Sequence, residues 1–176
     1  MSQTNELEIM ERIALDLERV EESLASSFNT GVEDFNALIR PLSAAGGKRL
    51  RAQLCLLIAN AGTSIERQRI KIAEAVEMLH LATLIHDDVL DQAEIRRGED
   101  TIHMHKGNKV AILSGDYLFA KAFKIVSEMT NMKYLQVFSH IITCLVEGEF
   151  MQMEDVYRID QGIERYMTKT QKKTAD

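Results

Sequence analysis

The sequence predicts an all-α protein folded as an antiparallel helical bundle, and three observations carry that expectation. Helix breakers are scarce, with one proline, Pro41, and nine glycines in 176 residues. Leu, Ala, Glu, Met and Lys, all good helix formers, are abundant. Apolar residues recur at steps of three and four, and no alternating run is long enough to require a strand.

Met10, Ile13, Leu17, Val20 and Leu24 form the first apolar stripe with charges between them. The helix they define should stop near residues 26–30, where Asn29 and Gly31 follow. A short helix over 33–39 is expected to close at Pro41, because proline pushes the residue before it out of the α region. The pair Gly46 and Gly47 should open a third helix that reaches Asn60 and is closed by Gly62. A long helix is expected over 64–91, then a polar, glycine-containing loop over 92–109. Further helices should occupy 110–129, 133–157 and 163–173. With no repeat, low-complexity tract or linker, residues 1–176 are expected to form a single helical domain.

A net charge of −6 leaves no basic footprint for nucleic acid, and no recognition motif for it occurs. Any phosphate-handling site must therefore concentrate its positive charge locally. Cys55 and Cys144 lie in apolar helical stretches and are expected to be buried, reduced thiols. No apolar run is long enough to span a bilayer, and the acidic N-terminal segment lacks a secretory core, so the expected location is the cytoplasm.

The most informative segment is HLATLIHDDVLDQAEIRRG, residues 80–98. At about 100° per residue, Asp87 and Asp91 stand one turn apart on one helix face with Asp88 beside them. Three close carboxylates repel, and no cation within the repeat itself neutralises them. Such a cluster shifts its pKa values or recruits a multivalent cation, and carboxylate oxygens with open coordination positions suit Mg²⁺. Arg96 and Arg97 follow, and guanidinium forks match phosphate oxygens. Together these residues describe a magnesium–diphosphate site. His80, seven residues before Asp87, lies on nearly the same face, with Thr83 between them.

A second cluster, GGKRLR over 46–51, sets two glycines before a helix start, where backbone amides and the helix dipole favour an anion. Lys48 and Arg51 project together and Arg49 points elsewhere. Alone, such a cluster is more often a solvated basic turn. His103 and His105 form a His-x-His pair with no third ligand at a telling spacing, so no metal is assigned to them. Glu149 and Gln152 read as a solvated helix face, and Lys169, Lys172 and Lys173 as a charged helix end.

On GGKRLR, EMLHLATLIHDDVLDQAEIRRG, the SGDYL of 114–118, GEFMQ and QKKTA, the chain resembles the trans-isoprenyl diphosphate synthases. It is most similar to the catalytic large subunits of bacterial heptaprenyl and hexaprenyl diphosphate synthases. The resemblance implies the isoprenoid-synthase helical bundle and Mg²⁺-dependent condensation of isopentenyl diphosphate with an allylic diphosphate. The product expected is a polyprenyl diphosphate of about C30–C35 for a quinone side chain. It implies Mg²⁺ on Asp87, Asp88 and Asp91, and the allylic diphosphate on Arg96. Lys48, Arg51, His80 and Arg97 would take the diphosphate of isopentenyl diphosphate. Lys173 and Thr174 would reach the allylic substrate and the developing cation, and Gln152 would face the cavity. Ala82 and Thr83 match the positions that set product length, and both are small. Where many relatives have proline after Arg51, this chain has Ala52. The family's second aspartate-rich motif is expected beyond Thr174, so these residues are expected to be the N-terminal portion of a synthase, weak or inactive alone. A homodimer or a small second subunit is the expected partner. The residues leave two other readings open, a non-catalytic helical partner subunit and a terpene cyclase.

Overall fold

The computed structural model describes residues 3–44, 47–62 and 65–174, and divides into two compact units, residues 1–128 and 129–176. In the first unit α1 (Gln3–Ser27), α2 (Glu33–Ala44), α3 (Leu50–Asn60) and α4 (Glu66–Leu90) precede a small antiparallel hairpin. Its strands are β1 (Ile95–Arg96) and β2 (Glu99–Asp100), and α5 (Ile102–Lys106) and α6 (Asn108–Ser127) follow. The second unit holds α7 (Met132–Glu154) and α8 (Ile163–Thr174). The all-helical expectation holds. Gly46 and the expected helix start at Ser64 lie outside the described residues.

Helix α4 is the axis of the first unit, packed by α6, α3 and α1. Ala73, Ala75 and Ala82 on α4 and Ala111 and Ala122 on α6 are buried, and such short side chains let helices approach closely. Met78, Leu56, Leu118, Val126 and Ile39 fill the core, each fully buried apolar side chain contributing about 1.5–3 kcal/mol. The stripe on α1 buries Ile13, Val20 and Leu24, and Phe28 just past its end; Met10, expected in the stripe, is exposed.

Between α1 and α4 the seam is charged. Asp16 accepts from Arg69 Nε and Nη2 at 2.6 and 3.1 Å, and wholly buried Glu74 accepts from Ser23 and Ser27, each at 2.7 Å, and from Lys71 at 2.9 Å. Each buried carboxylate thus has the partners that burial demands.

Three local expectations need correction. Helix α2 does not stop before Pro41 but carries it inside and continues to Ala44. Proline forfeits one helical hydrogen bond there, to the carbonyl of Ala37, and both residues are exposed, so water can take that carbonyl. The loop over 92–109 is largely ordered into the hairpin and α5. Cys144 is buried, but Cys55 is half-buried, its thiol pushed up to about 11 by burial.

Candidate diphosphate site

The aspartates stand where α4 ends. The Gln92 amide bonds to the Val89 carbonyl at 3.4 Å and the Ala93 amide to the Asp88 carbonyl at 2.9 Å, with Gln92 in the left-handed region at φ 52. This paired closure is a Schellman motif, and it turns the chain sharply back toward the last turn of α4. Asp87 is half-buried, Asp88 buried and Asp91 exposed.

The next residues bring back the arginines. Arg97 and Gly98 are the two central residues of the hairpin, both with positive φ, 54 and 86, the arrangement a type I′ turn requires. Arg96 pairs with Glu99 in register and reaches back to α4, its Nε donating to Asp88 Oδ1 at 2.7 Å. The three aspartates are therefore not without a cation: Arg96 neutralises Asp88, a contact made across the hairpin and invisible in the repeat. The Arg97 guanidinium goes to the other cluster, 3.4 Å from where a Cβ on Gly47 would stand.

There the first turn of α3 meets α4. Arg49 is buried and points away from the site, as expected, into Glu21 and Glu77. Lys48 and Arg51 are exposed. His80 lies between these elements. Burial first, and then the charges of Arg51, Arg97, Arg96 and Arg49, lower its pKa to about 4. His80 is neutral at pH 7, and four guanidinium charges act on this half-buried imidazole. That is the local cationic concentration an acidic protein needs to hold an anion. Arg51, His80 and Arg97, named together by the resemblance, are brought together here.

A cavity of about 830 Å³ opens beside the Asp88–Arg96 pair. Leu38 and Leu42 of α2 and Leu81 and Ile85 of α4 give it an apolar wall, and Arg96 and Arg97 stand at its polar end. Ala82 is wholly buried, and Thr83 is half-buried and donates to the His80 carbonyl at 2.8 Å. Neither lines this cavity.

Among the described residues, no three His, Cys, Asp or Glu side chains are gathered into a ready metal cage. The donors present, Asp87 and Asp91 one turn apart with Asp88 committed to Arg96, do fit a cation that takes one or two carboxylates and completes its shell with phosphate and water, as Mg²⁺ does. His103 lies 2.9 Å from Thr101 Oγ1 and His105 3.8 Å from an Asp100 oxygen, each engaged locally.

Sequence reasoning missed His86, the residue that seats the aspartate turn from behind. His86 Nε2 lies 3.1 Å from the Ile112 carbonyl and 3.6 Å from Asp116, and its ring sits against Phe119. A Cβ on Gly115, in the SGDYL segment, would stand 2.1 Å from His86 Nε2, so only glycine leaves space for that ring.

In the second unit, Lys173 Nζ lies 2.6 Å from Glu149 and 2.8 Å from Gln152. The expected solvated face is thus engaged by α8. Gly148 makes the approach possible, since a Cβ there would stand 3.0 Å from the Lys173 backbone nitrogen. Lys169 and Arg165 bind buried Asp155, Lys172 pairs with Glu147, and Thr174 is the exposed last residue of α8.

A helical bundle with an acidic helix end facing a guanidinium cluster defines the class, and comparison with known proteins agrees. The family model described as polyprenyl synthetase matches residues 32–176, and the chain belongs to that family. It is 38% identical over 161 residues to heptaprenyl diphosphate synthase component 2 of Geobacillus stearothermophilus, covering 91% of this chain and 50% of that one. It is 34% identical over 167 residues to octaprenyl diphosphate synthase of Escherichia coli K12, covering 95% and 52%. Among solved structures it resembles a polyprenyl synthase of Caulobacter crescentus complexed with calcium and isoprenyl diphosphate, with a TM-score of 0.87 at 33% identity, covering 94% of this chain and 50% of that one. The chain spans about half the length of these relatives. Among the described residues no helix is long and apolar enough to cross a membrane.

Proposed function

We propose that this chain carries the diphosphate-binding half of a trans-polyprenyl diphosphate synthase. The enzyme would be a prenyltransferase that condenses isopentenyl diphosphate with an allylic diphosphate. The carrying observation is the field of Arg49, Arg51, Arg96 and Arg97 around neutral His80, set beside the aspartate end of α4.

Arg51, His80 and Arg97, with Lys48, would grip the diphosphate of isopentenyl diphosphate, and Arg96 that of the allylic substrate. Asp87 and Asp91 would hold Mg²⁺, joined by Asp88 once Arg96 exchanges its contact with that carboxylate for the allylic diphosphate; the metal when bound offsets charge growing on the departing pyrophosphate. The allylic C–O bond breaks and pyrophosphate leaves with the electron pair. The isopentenyl double bond then attacks the allylic carbon, a carbon–carbon bond forms, and a proton passes to the pyrophosphate. Fixed guanidiniums favour that course because they need no reorganisation as charge moves onto the leaving group. In the second unit, Lys173, Thr174 and Gln152 would serve the allylic substrate, which requires Lys173 to exchange its contact with Glu149.

Ala82 and Thr83 match the length-setting positions of the family although neither lines the cavity beside Asp88, and on that resemblance the product is a long one of about C30–C35, for a quinone side chain, made in the cytoplasm. A second copy of the chain or a small second subunit would complete the assembly. The test is binding of inorganic pyrophosphate with Mg²⁺, read as a rise in melting temperature and by calorimetry. A ligand at 100 times its Kd adds about 2.7 kcal/mol of stability. A chain that retains the fold only as a scaffold would show no rise, and a fifteen-carbon product on chromatography would overturn the chain-length assignment.

A further inference from the structure

We propose that Glu77, one turn before His80 on α4, is a positioning residue that locks the start of α3 so that the charge of Arg51 acts on His80. The proposal rests on the diphosphate-binding reading above for its consequence, but not for its geometry.

The start of α3 is built unusually. Its N-cap residue is Arg49, at φ 45 and ψ 39, in the left-handed region that costs a side-chain-bearing residue about 1–2 kcal/mol. An arginine there has no acceptor to offer the first amides of the helix, which an N-cap side chain ordinarily satisfies. Glu77 supplies it from another helix: its Oε1 accepts from the Ala52 amide, the third of α3, at 3.0 Å. Its Oε2 lies 3.7 Å from Arg49 Nη1, while Glu21 of α1 takes the same guanidinium in a fork, Nε at 2.6 Å and Nη2 at 3.2 Å. Glu77 and Arg49 are both buried. A strained backbone conformation persists only where its surroundings hold it, and here two carboxylates do so.

The arrangement divides labour among the three basic residues of GGKRLR. Arg49 spends its charge on Glu21 and Glu77 and becomes an anchor. Lys48 and Arg51, on either side of it, are held outward. Because Glu77 and His80 are separated by one turn of the same helix, the carboxylate also fixes the register of α3 against the imidazole. No change in helix content is needed for the cations to drift if Glu77 is lost.

Glu77→Leu and Glu77→Gln in the 176-residue chain test this with three measurements. The first is affinity for inorganic pyrophosphate with Mg²⁺; the second is the His80 titration by NMR; the third is hydrogen exchange at the Ala52 amide and along α6. Pyrophosphate affinity should fall about tenfold in both variants, the scale of one lost charge-assisted contact. The His80 pKa should rise as Arg51 moves away. The direct effect of removing a carboxylate charge has the opposite sign, so the direction separates displacement from simple electrostatics. Ala52 exchange should accelerate in Glu77→Leu while α6 stays protected. Wild-type affinity and titration in a folded Glu77→Leu protein, or a loss of protection spread evenly over α4 and α6, would overturn the proposal. If Glu77→Leu does not fold, Glu21→Gln, at a half-exposed position, should shift His80 in the same direction, and an unchanged titration there is equally fatal. Should the wild-type chain bind no pyrophosphate, the functional reading fails, and the Ala52 exchange and His80 titration still decide the role of Glu77.

Discussion

The two units treat their basic residues in opposite ways. Around His80, the charges of Arg51, Arg97, Arg96 and Arg49 all act on one neutral imidazole. Between α7 and α8, Lys169 and Arg165 close on Asp155, Lys172 on Glu147, and Lys173 on Glu149 and Gln152. The first region keeps a positive potential that an anion can discharge. The second uses its cations one by one, each on a partner across the α7–α8 seam, and holds two helices together with them. Arg49 and Arg96 are also paired, with Glu21, Glu77 and Asp88; what separates the regions is that the first gathers the charges of four guanidiniums on one imidazole, whereas the second distributes its cations along a helix seam.

The largest effect that tests this contrast should come from the cationic cluster. Arg51→Ala and Arg97→Ala should each weaken pyrophosphate binding roughly 10- to 100-fold, the scale of a lost charge-assisted hydrogen bond, with little change in melting temperature. Calorimetry showing equal affinities would end the assignment. Comparable in energy but structural in kind, Gly148→Ala should cost about 1–3 kcal/mol by pushing the new Cβ onto the α8 backbone. Thermal melts should show that loss.

A smaller effect lies in pH. The folded-state pKa of His80, about 4, sits below its ordinary 6.5, so the stability linked to the neutral ring is present above 6.5 and lost as pH falls toward 4. Pyrophosphate beside the ring should raise that pKa, so the ring's contribution to binding should grow as pH falls toward 4. An NMR titration with and without pyrophosphate measures both. The smallest effect should follow Glu147→Gln, which removes an exposed partner of Lys172: at most about 0.5 kcal/mol in a denaturant melt.

Much of this was legible in the sequence, because helix periodicity is a local property. The end of α4 near Asp91 and the shared face of His80 and Asp87 follow from spacing alone. What escaped depends on positive-φ backbone or on pairing between elements. Arg–Gly is not among the common signals for a two-residue hairpin turn, so Arg97 and Gly98 read as loop and the Arg96–Asp88 pair stayed hidden. Arg49 could be placed away from its neighbours by helix geometry, yet its partners Glu21 and Glu77 sit 28 residues away on either side. Pro41 misled because a helix with one turn left loses little by containing it. Met10 shows the limit of a stripe: the period continues past the point where a neighbour stands to cover it.

The two-residue turn at Arg97 and Gly98 has a consequence for how this segment can change over time. Adjacent arginines, identical in chemistry, are sent to different addresses, one toward Asp88 and the other toward Gly47, by a single tight reversal of the chain. Deleting or inserting one residue there would leave the composition almost intact while delivering each guanidinium to the wrong destination. The segment should therefore tolerate exchange of its exposed side chains far better than any alteration of its length.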